Sequence, residues 1–200
     1  MLTMTAEPTA PSRLAAPEAL EALVRPTLDG DRAAAERLLS GLLPRVRNLA
    51  RYLLRGDQDV DDVAQEALTV IYRRLETYRG QGVFLAWVDR VVARATFSFR
   101  KRARTRREVL HAEAEEMPAG EQEPPSGPEG YVARRRFAVL LDTIPEEQRD
   151  ALVMHHVLGM SVPEIADELS LSAETIRSRL RLGRARLRAA LPPSPGEVSP

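Results

Sequence analysis

The sequence predicts an all-α protein of two small helical domains, a helical bundle and a four-helix domain with a helix-turn-helix, joined by a flexible acidic linker. Hydrophobic residues make up 44% of the 200 residues and aromatic residues only 4%. Ala, Leu, Arg and Glu are abundant, which favours helices over strands. Apolar residues recur at helical spacing in two blocks, residues 18–107 and 131–191. The segment between them, residues 108–130, is acidic and rich in Pro and Gly, as is typical of a solvated linker.

Residues 1–17 and 192–200 flank the two blocks and are predicted to be a disordered leader and a disordered tail. The leader has no basic start and no apolar core, so it does not resemble a signal peptide. No apolar run approaches the roughly 20 residues that span a bilayer. We therefore expect no membrane insertion and a cytoplasmic location.

The sequence also lacks the pattern of a catalytic or metal site. It contains no cysteine, which excludes disulfides, thiolate zinc sites and cysteine nucleophiles. Asp57, Asp59 and Asp61 have the spacing of a calcium loop. However, Asp62 and Leu68 stand where that loop requires Gly and Glu. We predict no catalytic residue, no metal site and no cofactor, and we expect that the protein is not an enzyme.

The charged residues are balanced in number but segregated along the chain. There are 29 basic and 29 acidic residues, and Lys101 is the only lysine. A GC-rich genome explains this use of arginine, so arginine content alone decides nothing. Residues 90–107 stand out because they hold many arginines and no acidic residue. Such a run fits a solvated helix end and equally a surface that contacts a phosphate backbone.

Three helices are predicted in the first block. Residues 31–54 form one helix, which Pro44 should kink or divide. Residues 61–78 form the second, with an apolar stripe on one face. Residues 83–104 form the third, in which Trp87 is expected to be a core anchor. Apolar stripes on all three helices predict a small bundle.

The second block contains a helix-turn-helix whose helix ends are marked in the sequence. Thr143 is expected to cap the first helix and Glu146 to complete a capping box. Gly159 should stop this helix. Ser161 and Glu164 repeat the capping box at the start of a short second helix.

A tight turn at Ser170-Leu171 leads to a last helix, which Ser172 caps and which continues to about Ala190. Arginines dominate its exposed surface, as in a recognition helix that enters the major groove of DNA. The N-terminal residues of such a helix read base edges, and later arginines hold phosphates. The candidate base-reading residues are Ser172, Ala173, Glu174, Thr175, Arg177 and Ser178. The same features also fit a helical hairpin that binds protein and exposes arginines for solubility.

Two stretches of the chain resemble one family, the extracytoplasmic-function (ECF) sigma factors of the sigma-70 superfamily. The first is DDVAQEALTVIYRRLETYRGQGVFLAWVDRVVARA, which starts at Asp61. The second is LDTIPEEQRDALVMHHVLGMSVPEIADELSLSAETIRSRLRLGRARLRAAL, which starts at Leu141. The resemblance implies a sigma region 2-like domain at residues 18–107 and a sigma region 4-like domain at residues 131–191. It also implies binding to core RNA polymerase, at the β′ clamp helices and the β flap, and binding to promoter DNA, which the protein helps to open.

The resemblance further assigns roles to individual residues. The residues that match the helix docking on the clamp helices are Asp61, Asp62, Gln65, Glu66, Leu68 and Ile71. The residues that match the base-trapping loop and the helix reading the minus-ten element are Gly80, Gln81, Gly82, Arg94, Phe97, Ser98, Arg100 and Lys101. The residues that match the helix reading the minus-thirty-five element are Ser172, Ala173, Glu174, Thr175, Arg177, Ser178 and Arg181. Many relatives are held inactive by an anti-sigma factor, which makes such a protein a candidate partner.

Three residues depart from the family pattern. Arg94 stands where relatives often have Asn, Ser98 where they often have Asp, and Glu174 where they often have Gly. Glu174 can accept a hydrogen bond from a cytosine amino group, or it can simply favour the helix N-terminus. The promoter sequence that relatives recognise therefore does not transfer to this chain.

Two other functions fit parts of the same sequence. A free-standing helix-turn-helix regulator would use the first block as a sensor or dimerisation domain and would bind DNA unaided. A helical adaptor would bind only proteins and would be indifferent to DNA at low salt. The clamp-helix-like segment, the Gly turn and the basic helix together favour a sigma factor.

Overall fold

The computed structural model describes residues 17–110 and 129–191, and the side chains of residues 17–106 and 132–191. Within these residues every regular element is a helix, which confirms the predicted fold class. The helices are α1 (Pro17–Glu21), α2 (Val24–Leu28), α3 (Arg32–Leu53), α4 (Val60–Arg74), α5 (Phe84–Leu110), α6 (Glu129–Asp142), α7 (Glu146–His156), α8 (Val162–Leu169) and α9 (Ala173–Ala190), with a 3₁₀ turn at Leu75–Thr77. We call α1–α5 the N-terminal unit and α6–α9 the C-terminal unit. No helix in the described part of the chain is both long enough and apolar enough to cross a membrane.

The N-terminal unit is built around α3, against which α4 and α5 pack. The Asp31 carboxylate caps α3 by accepting a hydrogen bond from the amide of Ala34 at 3.0 Å. Pro44 lies inside α3 and does not divide it, so that part of the expectation is wrong. Leu42 and Val46 on either side of it are fully buried. Their packing outweighs the one backbone hydrogen bond that proline removes.

Three helices of the N-terminal unit, α3, α4 and α5, correspond to the predicted ones but end at different residues, and the short helices α1 and α2 were not predicted. The helix predicted over residues 61–78 is α4 together with the 3₁₀ turn. The helix predicted over residues 83–104 is α5, which continues to Leu110 and so enters the predicted linker, as α6 does from Glu129. Composition marks a linker without fixing its ends, because Glu and Leu at its borders are good helix formers. Residues 111–128, like the remainder of the predicted leader and the tail, lie outside the described residues.

The predicted helix-turn-helix is present as α8 and α9. Ser161 Oγ accepts from the amide of Glu164 at 3.4 Å, and Glu164 Oε2 accepts from the amide of Ser161 at 2.9 Å. This confirms the predicted capping box. Ser172 caps α9, as predicted, by accepting from the amide of Thr175 at 3.1 Å. Between the two helices Ser170 adopts a left-handed conformation with φ of 54°, which makes the turn tight.

The capping box predicted for Thr143 and Glu146 is wrong. The N-cap of α7 is Pro145, and no side chain caps this helix. The Thr143 hydroxyl instead donates to the carbonyl of Leu140 at 2.7 Å. Thr143 directly follows α6, so the free carbonyl groups at the end of that helix compete for its hydroxyl.

The two units pack against each other through one continuous apolar core. The rings of Tyr52 on α3 and Phe137 on α6 meet edge to face, with centroids 5.3 Å apart. Arg51 donates to both carboxylate oxygens of Asp142, at 3.0 and 2.5 Å. Nothing in the sequence predicted this contact, because it joins residues 91 positions apart.

Gly183 sets how closely α9 approaches α7. A Cβ atom at this position would lie 2.8 Å from Leu152 Cδ1 and 3.3 Å from Gln148 Cβ, and Leu152 is itself buried. We expect Gly183→Ala to lower the free energy of unfolding by about 1–2 kcal/mol. Overpacking against a buried leucine should outweigh the gain in helix propensity.

The matched test repeats this substitution with its two closest contacts, to Leu152 Cδ1 and Cγ, removed. In a Leu152→Ala background, Gly183→Ala should stabilise the protein by up to about 1 kcal/mol, the difference in helix propensity between Ala and Gly. Urea unfolding of the wild type, both single variants and the double variant measures the two effects. Equal effects in the two backgrounds would contradict a close approach at Gly183.

Candidate nucleic-acid interface

The first candidate surface is the exposed face at the start of α4. Asp61, Asp62 and Gln65 are exposed and Leu68 is partly exposed, so these predicted residues are available to a partner. Ile71 is fully buried in the apolar core, so its side chain is not accessible to a partner. The assignment of Ile71 to this surface is therefore corrected. Helical spacing explains the difference, because Ile71 lies on the stripe of α4 that packs inward.

Two carboxylates of this face already hold arginines. Asp61 Oδ1 lies 2.9 Å from Arg47 Nη2, and the Glu66 carboxylate accepts from Arg102 Nη2 at 2.5 and 2.7 Å. Arg102 belongs to the basic end of α5, so the acidic face of α4 and the basic helix are coupled within one unit. Both pairs are partly exposed, where water screens them and they stabilise little.

The second candidate surface is the loop between α4 and α5. Gly80 and Gly82 have φ of 69° and 89°, in the region that only glycine adopts freely, and Gln81 between them is exposed. The Tyr78 hydroxyl anchors this loop, because it lies 3.0 Å from the carbonyl oxygen of Gly82 and 2.6 Å from Glu21 Oε1. The hydrogen bond to the Glu21 carboxylate raises the pKa of Tyr78.

Sequence reasoning missed two features of this loop. The Tyr78 ring packs against Phe84 and Trp87, at centroid distances of 5.1 and 5.9 Å, so the loop stands on a fixed aromatic cluster. Trp87 is thus a core anchor, as predicted. Val83, directly after the loop, is 67% exposed and offers an apolar side chain beside the two glycines. Its only sequence signal was an apolar residue next to a Gly turn, which equally predicts the start of a buried stripe.

The third candidate surface is the middle of α5. Ser98 and Lys101 are exposed, whereas Phe97 is partly buried against the core. The Arg94 side chain is 58% exposed, but that of Arg100 is only 17% exposed. Arg100 also lies over the Phe97 ring, 5.4 Å from its centroid, in a cation–π contact. The predicted residues therefore share one stretch of α5, and two of them are largely covered.

Carboxylates of the C-terminal unit cover the arginines on this surface. Arg94 donates from Nε and Nη2 to the two carboxylate oxygens of Glu168, at 2.6 Å each. Arg100 donates to both oxygens of Asp150, at 2.7 and 2.9 Å, and Glu146 also contacts it. The hydrogen bonds between Arg94 and Glu168 lower the pKa of the Glu168 carboxyl and raise the pKa of the Arg94 guanidinium. Both groups therefore stay charged at neutral pH.

Arg90 extends this surface by one helical turn, and sequence reasoning did not assign it to the interface. Arg90 Nη2 donates to Glu164 Oε1 at 2.8 Å. The available signal was its place as the first residue of the acid-free run. Asp150 at the other end of the surface is 6% exposed, and burial raises its pKa although Arg100 opposes this effect.

The fourth candidate surface is a groove of about 460 Å³ along α9. Four arginines at helical spacing line it: Arg177, Arg181, Arg184 and Arg188. Among the described residues, the last three form no ion pair with a carboxylate. The groove therefore has a net positive charge, which suits a phosphate backbone.

The predicted base-reading residues lie at the start of α9 with different degrees of exposure. The side chains of Glu174 and Arg177 are 83% and 62% exposed, and they pair loosely at 3.4 Å. Ser172 is engaged as the helix cap. The partly buried members are Ala173, Thr175 and Ser178. Glu174, Arg177 and Arg181 are thus the charged residues of the predicted set that are exposed to solvent.

Sequence reasoning did not expect α7 and α8 to contribute to the groove. His155 and Val162 line its wall. Next to it, Arg184 Nε donates to His156 Nε2 at 3.3 Å. Partial burial, with smaller effects of His155 and Arg184, lowers the pKa of His156, so its ring is neutral and can accept this bond.

We expect Tyr78→Phe to loosen the glycine loop and leave the aromatic cluster in place. The substitution removes the hydroxyl that bonds to Glu21 and Gly82, which should lower the free energy of unfolding by about 1–2 kcal/mol. Denaturant unfolding measures this change, and hydrogen exchange of the amides of residues 80–83 should become faster. Tyr52→Phe is the control, because its hydroxyl has no hydrogen bond among the described residues. Equal exchange in the two variants would contradict the anchoring role.

Two family models match separate parts of the chain. Sigma-70 region 2 matches residues 38–106, and Sigma-70, region 4 matches residues 134–187. The ECF RNA polymerase sigma factor SigE of Mycolicibacterium smegmatis is 34% identical over 167 residues, which cover 80% of this chain and 63% of that protein. The RNA polymerase sigma factor CnrH of Cupriavidus metallidurans is 30% identical over 142 residues, which cover 68% of this chain and 74% of that protein.

Two solved structures share the fold. CnrH in complex with the cytosolic domain of CnrY has a TM-score of 0.51 at 24% identity, over 86% of this chain and 96% of that chain. The sigma factor RpoE in complex with the anti-sigma factor NepR, from Bartonella quintana, has a TM-score of 0.53 at 21% identity, over 77% of this chain and 94% of that chain. Both sigma-70 regions are matched in order, and the sigma factor CnrH is 30% identical over 74% of its own length. The chain therefore belongs to the ECF group of the sigma-70 family of RNA polymerase sigma factors.

Proposed function

We propose that this protein is a sigma factor that directs core RNA polymerase to specific promoters and helps to open their DNA. The observation that supports this function is that one chain carries a region 2 match and a region 4 match in order, with a separate arginine-rich surface in each unit. Arginines that neutralise phosphates give affinity for any DNA, and groove-reading side chains give sequence choice. Two such surfaces on one chain can position polymerase between two promoter elements.

The start of α4 is the surface we assign to the β′ clamp helices of core polymerase. Asp61, Asp62 and Gln65 support this assignment because they are exposed, polar and within one turn of one another. A partner surface with arginine or lysine would complement the two carboxylates. We assign the β flap to the C-terminal unit by resemblance to the family.

The glycine loop and α5 are the surfaces we assign to the minus-ten element. Extruding a base from the stack costs a few kcal/mol, which a pocket and phosphate contacts can offset. Gly80 and Gly82 present backbone without side chains, so a base can approach closely, and exposed Val83 adds an apolar contact. Arg94 and Lys101 on α5 are suited to the phosphates beside that base.

The groove along α9 is the surface we assign to the minus-thirty-five element. Glu174 and Arg177 are exposed at the N-terminal end, where a recognition helix reads base edges. The guanidinium of Arg177 can bond bidentately to guanine, and the carboxylate of Glu174 can accept from cytosine. Arg184 and Arg188, further along α9, are placed to hold phosphates.

Under this proposal the protein acts in the cytoplasm, where core polymerase is, and the chemistry of RNA synthesis belongs to the polymerase rather than to this chain. The solved sigma factor RpoE is bound to the anti-sigma factor NepR. We infer that a protein of this kind is a candidate partner here as well.

Charge reversal on α4 tests docking to polymerase. We expect Asp62→Lys to weaken binding to core RNA polymerase about tenfold, because it places a cation opposite a complementary basic surface. Fluorescence anisotropy of the labelled protein with core polymerase measures the affinity. Run-off transcription on a pool of promoters from the protein's own genome measures initiation.

The matched control for docking is Glu36→Lys, the same charge reversal at an exposed position of α3. It should leave core binding and transcription close to those of the wild type. Equal losses for both variants would reject the start of α4 as the docking face. If wild-type protein gives no core-dependent transcript and protects DNA alone in a two-fold symmetric footprint, it is a free-standing regulator instead.

Single substitutions on α9 distinguish base reading from phosphate binding. Arg177→Ala should cost about 1–3 kcal/mol at one promoter position and little elsewhere, if Arg177 makes a bidentate base contact. Arg188→Ala is the matched control, which should weaken binding uniformly across promoter variants and reduce the salt slope by about one. Binding of the holoenzyme to a set of single-base promoter variants measures both patterns. A uniform loss for Arg177→Ala would reassign this residue to a phosphate.

A further inference from the structure

A polar cavity of about 560 Å³ lies between α3 of the N-terminal unit and α6 of the C-terminal unit. It shares no lining residue with the α9 groove, so it is a separate feature of the surface. Arg134, Arg135 and Ala138 line it from α6. The residues that line it from α3 lie along one face of that helix: Pro44, Arg47, Asn48, Arg51 and Tyr52.

Arginines outnumber carboxylates around this cavity. Four arginines and two aspartates line it, and Asp142, outside the lining, accepts two hydrogen bonds from Arg51. The cavity therefore keeps a net positive charge when all three carboxylates are counted. Asp57 also accepts from Arg51 Nε at 2.6 Å and pairs with Arg135 at 2.7 Å, so these two arginines are already engaged.

Two other arginines of the cavity are available to an anion. Arg134 is exposed and pairs with no carboxylate among the described residues. Arg47 pairs with Asp61 at 2.9 Å, but both side chains are more than half exposed, and water screens such a pair. An incoming anion can therefore bind Arg134 directly and compete with Asp61 for Arg47.

Two partly buried polar side chains of the cavity, Asn48 and Tyr52, form no hydrogen bond with any described residue. Burial raises the pKa of Tyr52, although the positive charge of Arg134 opposes this effect, so its hydroxyl is protonated and can donate at neutral pH. The Asn48 amide can both donate and accept. Polar groups inside proteins ordinarily have hydrogen-bond partners, so these two groups suit a polar ligand.

We propose that this cavity is a nucleotide-binding site, in which Arg134 and Arg47 hold phosphate groups while Asn48 and Tyr52 supply further hydrogen bonds. An arginine binds a phosphate through two parallel hydrogen bonds, which a carboxylate-poor cavity leaves possible. The site is independent of the promoter and polymerase surfaces in the proposed function, although Asp61 borders both the cavity and the start of α4.

The size of the cavity and the Asn48 amide favour a nucleotide over inorganic phosphate. Its volume of about 560 Å³ falls in the range of about 300–1,000 Å³ that is typical of pockets for small organic ligands. Phosphate alone would leave most of this space to water. An asparagine amide, which donates and accepts side by side, matches the edge of a base such as adenine.

The site takes residues from both units, and this arrangement has a measurable consequence. A ligand that binds the folded chain and not the unfolded chain raises the stability of the folded state. We therefore expect ATP to raise the midpoint of thermal unfolding of the full chain.

Calorimetric titration of the full chain tests the site without polymerase or DNA. ATP, GTP and inorganic phosphate are compared at constant ionic strength and without divalent cations, and ATP should bind at least about tenfold more tightly than phosphate. Arg134→Ala should weaken ATP binding about tenfold, because it removes charge-assisted hydrogen bonds. The matched control is Arg136→Ala, which removes the same charge from an exposed neighbour on α6 that does not line the cavity.

A second variant tests the α3 side of the cavity with little change in side-chain shape. Asn48→Asp places a carboxylate beside the bound phosphates, so it should also weaken ATP binding about tenfold by repulsion. The rise in unfolding midpoint with ATP should persist in Arg136→Ala and be lost in Arg134→Ala and Asn48→Asp. Arg188→Ala is the control for the positively charged α9 groove and should leave ATP binding unchanged.

Four outcomes would overturn the proposal. Equal losses for Arg134→Ala and Arg136→Ala would show that ATP responds only to overall charge. A larger loss for Arg188→Ala than for Arg134→Ala would place ATP in the α9 groove. Phosphate binding as tight as that of ATP would reject a nucleotide as the ligand. Tighter binding of oligo(dT) than of ATP, with the same dependence on Arg134, would make the cavity part of a nucleic-acid surface instead.

Discussion

The arginines of α5 need anionic partners, and this constraint links the fold to the proposed function. No acidic residue lies within residues 90–107, so helix neighbours cannot supply the partners. They come from other helices instead: Glu66 of α4 holds Arg102, and carboxylates of α7 and α8 hold the arginines nearer the start of α5. A guanidinium cannot lose its charge by deprotonation in a protein, so it is paired, solvated or given to a ligand.

Two buried arginines outside α5, Arg51 and Arg149, likewise need an anionic partner where the two units meet. Asp142 at the end of α6 accepts from Arg51 of α3 and lies 3.5 Å from Arg149 of α7. Arg149 is 2% exposed, and burial lowers its pKa. Burying charges in this way stabilises little overall, but removing one partner leaves an uncompensated charge. Few alternative packings satisfy all three groups, so the network favours one arrangement of the units.

The helix-turn-helix was predictable from the sequence because its caps join residues three positions apart. The ion pairs between the two units were not, because their partners are far apart along the chain. Ser161 and Ser172 cap helices through residues three positions away, so their patterns are visible in the chain. Thr143 had the same local pattern, but a carbonyl of the preceding helix competed for its hydroxyl. The partner of Arg94 lies 74 positions away, and no local pattern encodes a pair of that separation. The candidate surfaces were therefore foreseeable, and their coverage was not.

A chain of zero formal net charge can bind DNA if DNA phosphates replace the carboxylates that pair with its arginines. Affinity for DNA ordinarily gains from the counterions that free arginines and phosphates release. Arginines that already pair with carboxylates exchange a carboxylate for a phosphate when DNA binds. The DNA affinity of α5 therefore gains little from the release of counterions. Arg181, Arg184 and Arg188 of the α9 groove form no ion pair with a carboxylate among the described residues, so they gain fully from this release. Salt should therefore act mainly on the α9 surface, whereas engagement of α5 depends on how tightly the carboxylates hold it. Two arginine-rich helices thus differ in their expected response to salt, because carboxylates pack against the arginines of α5.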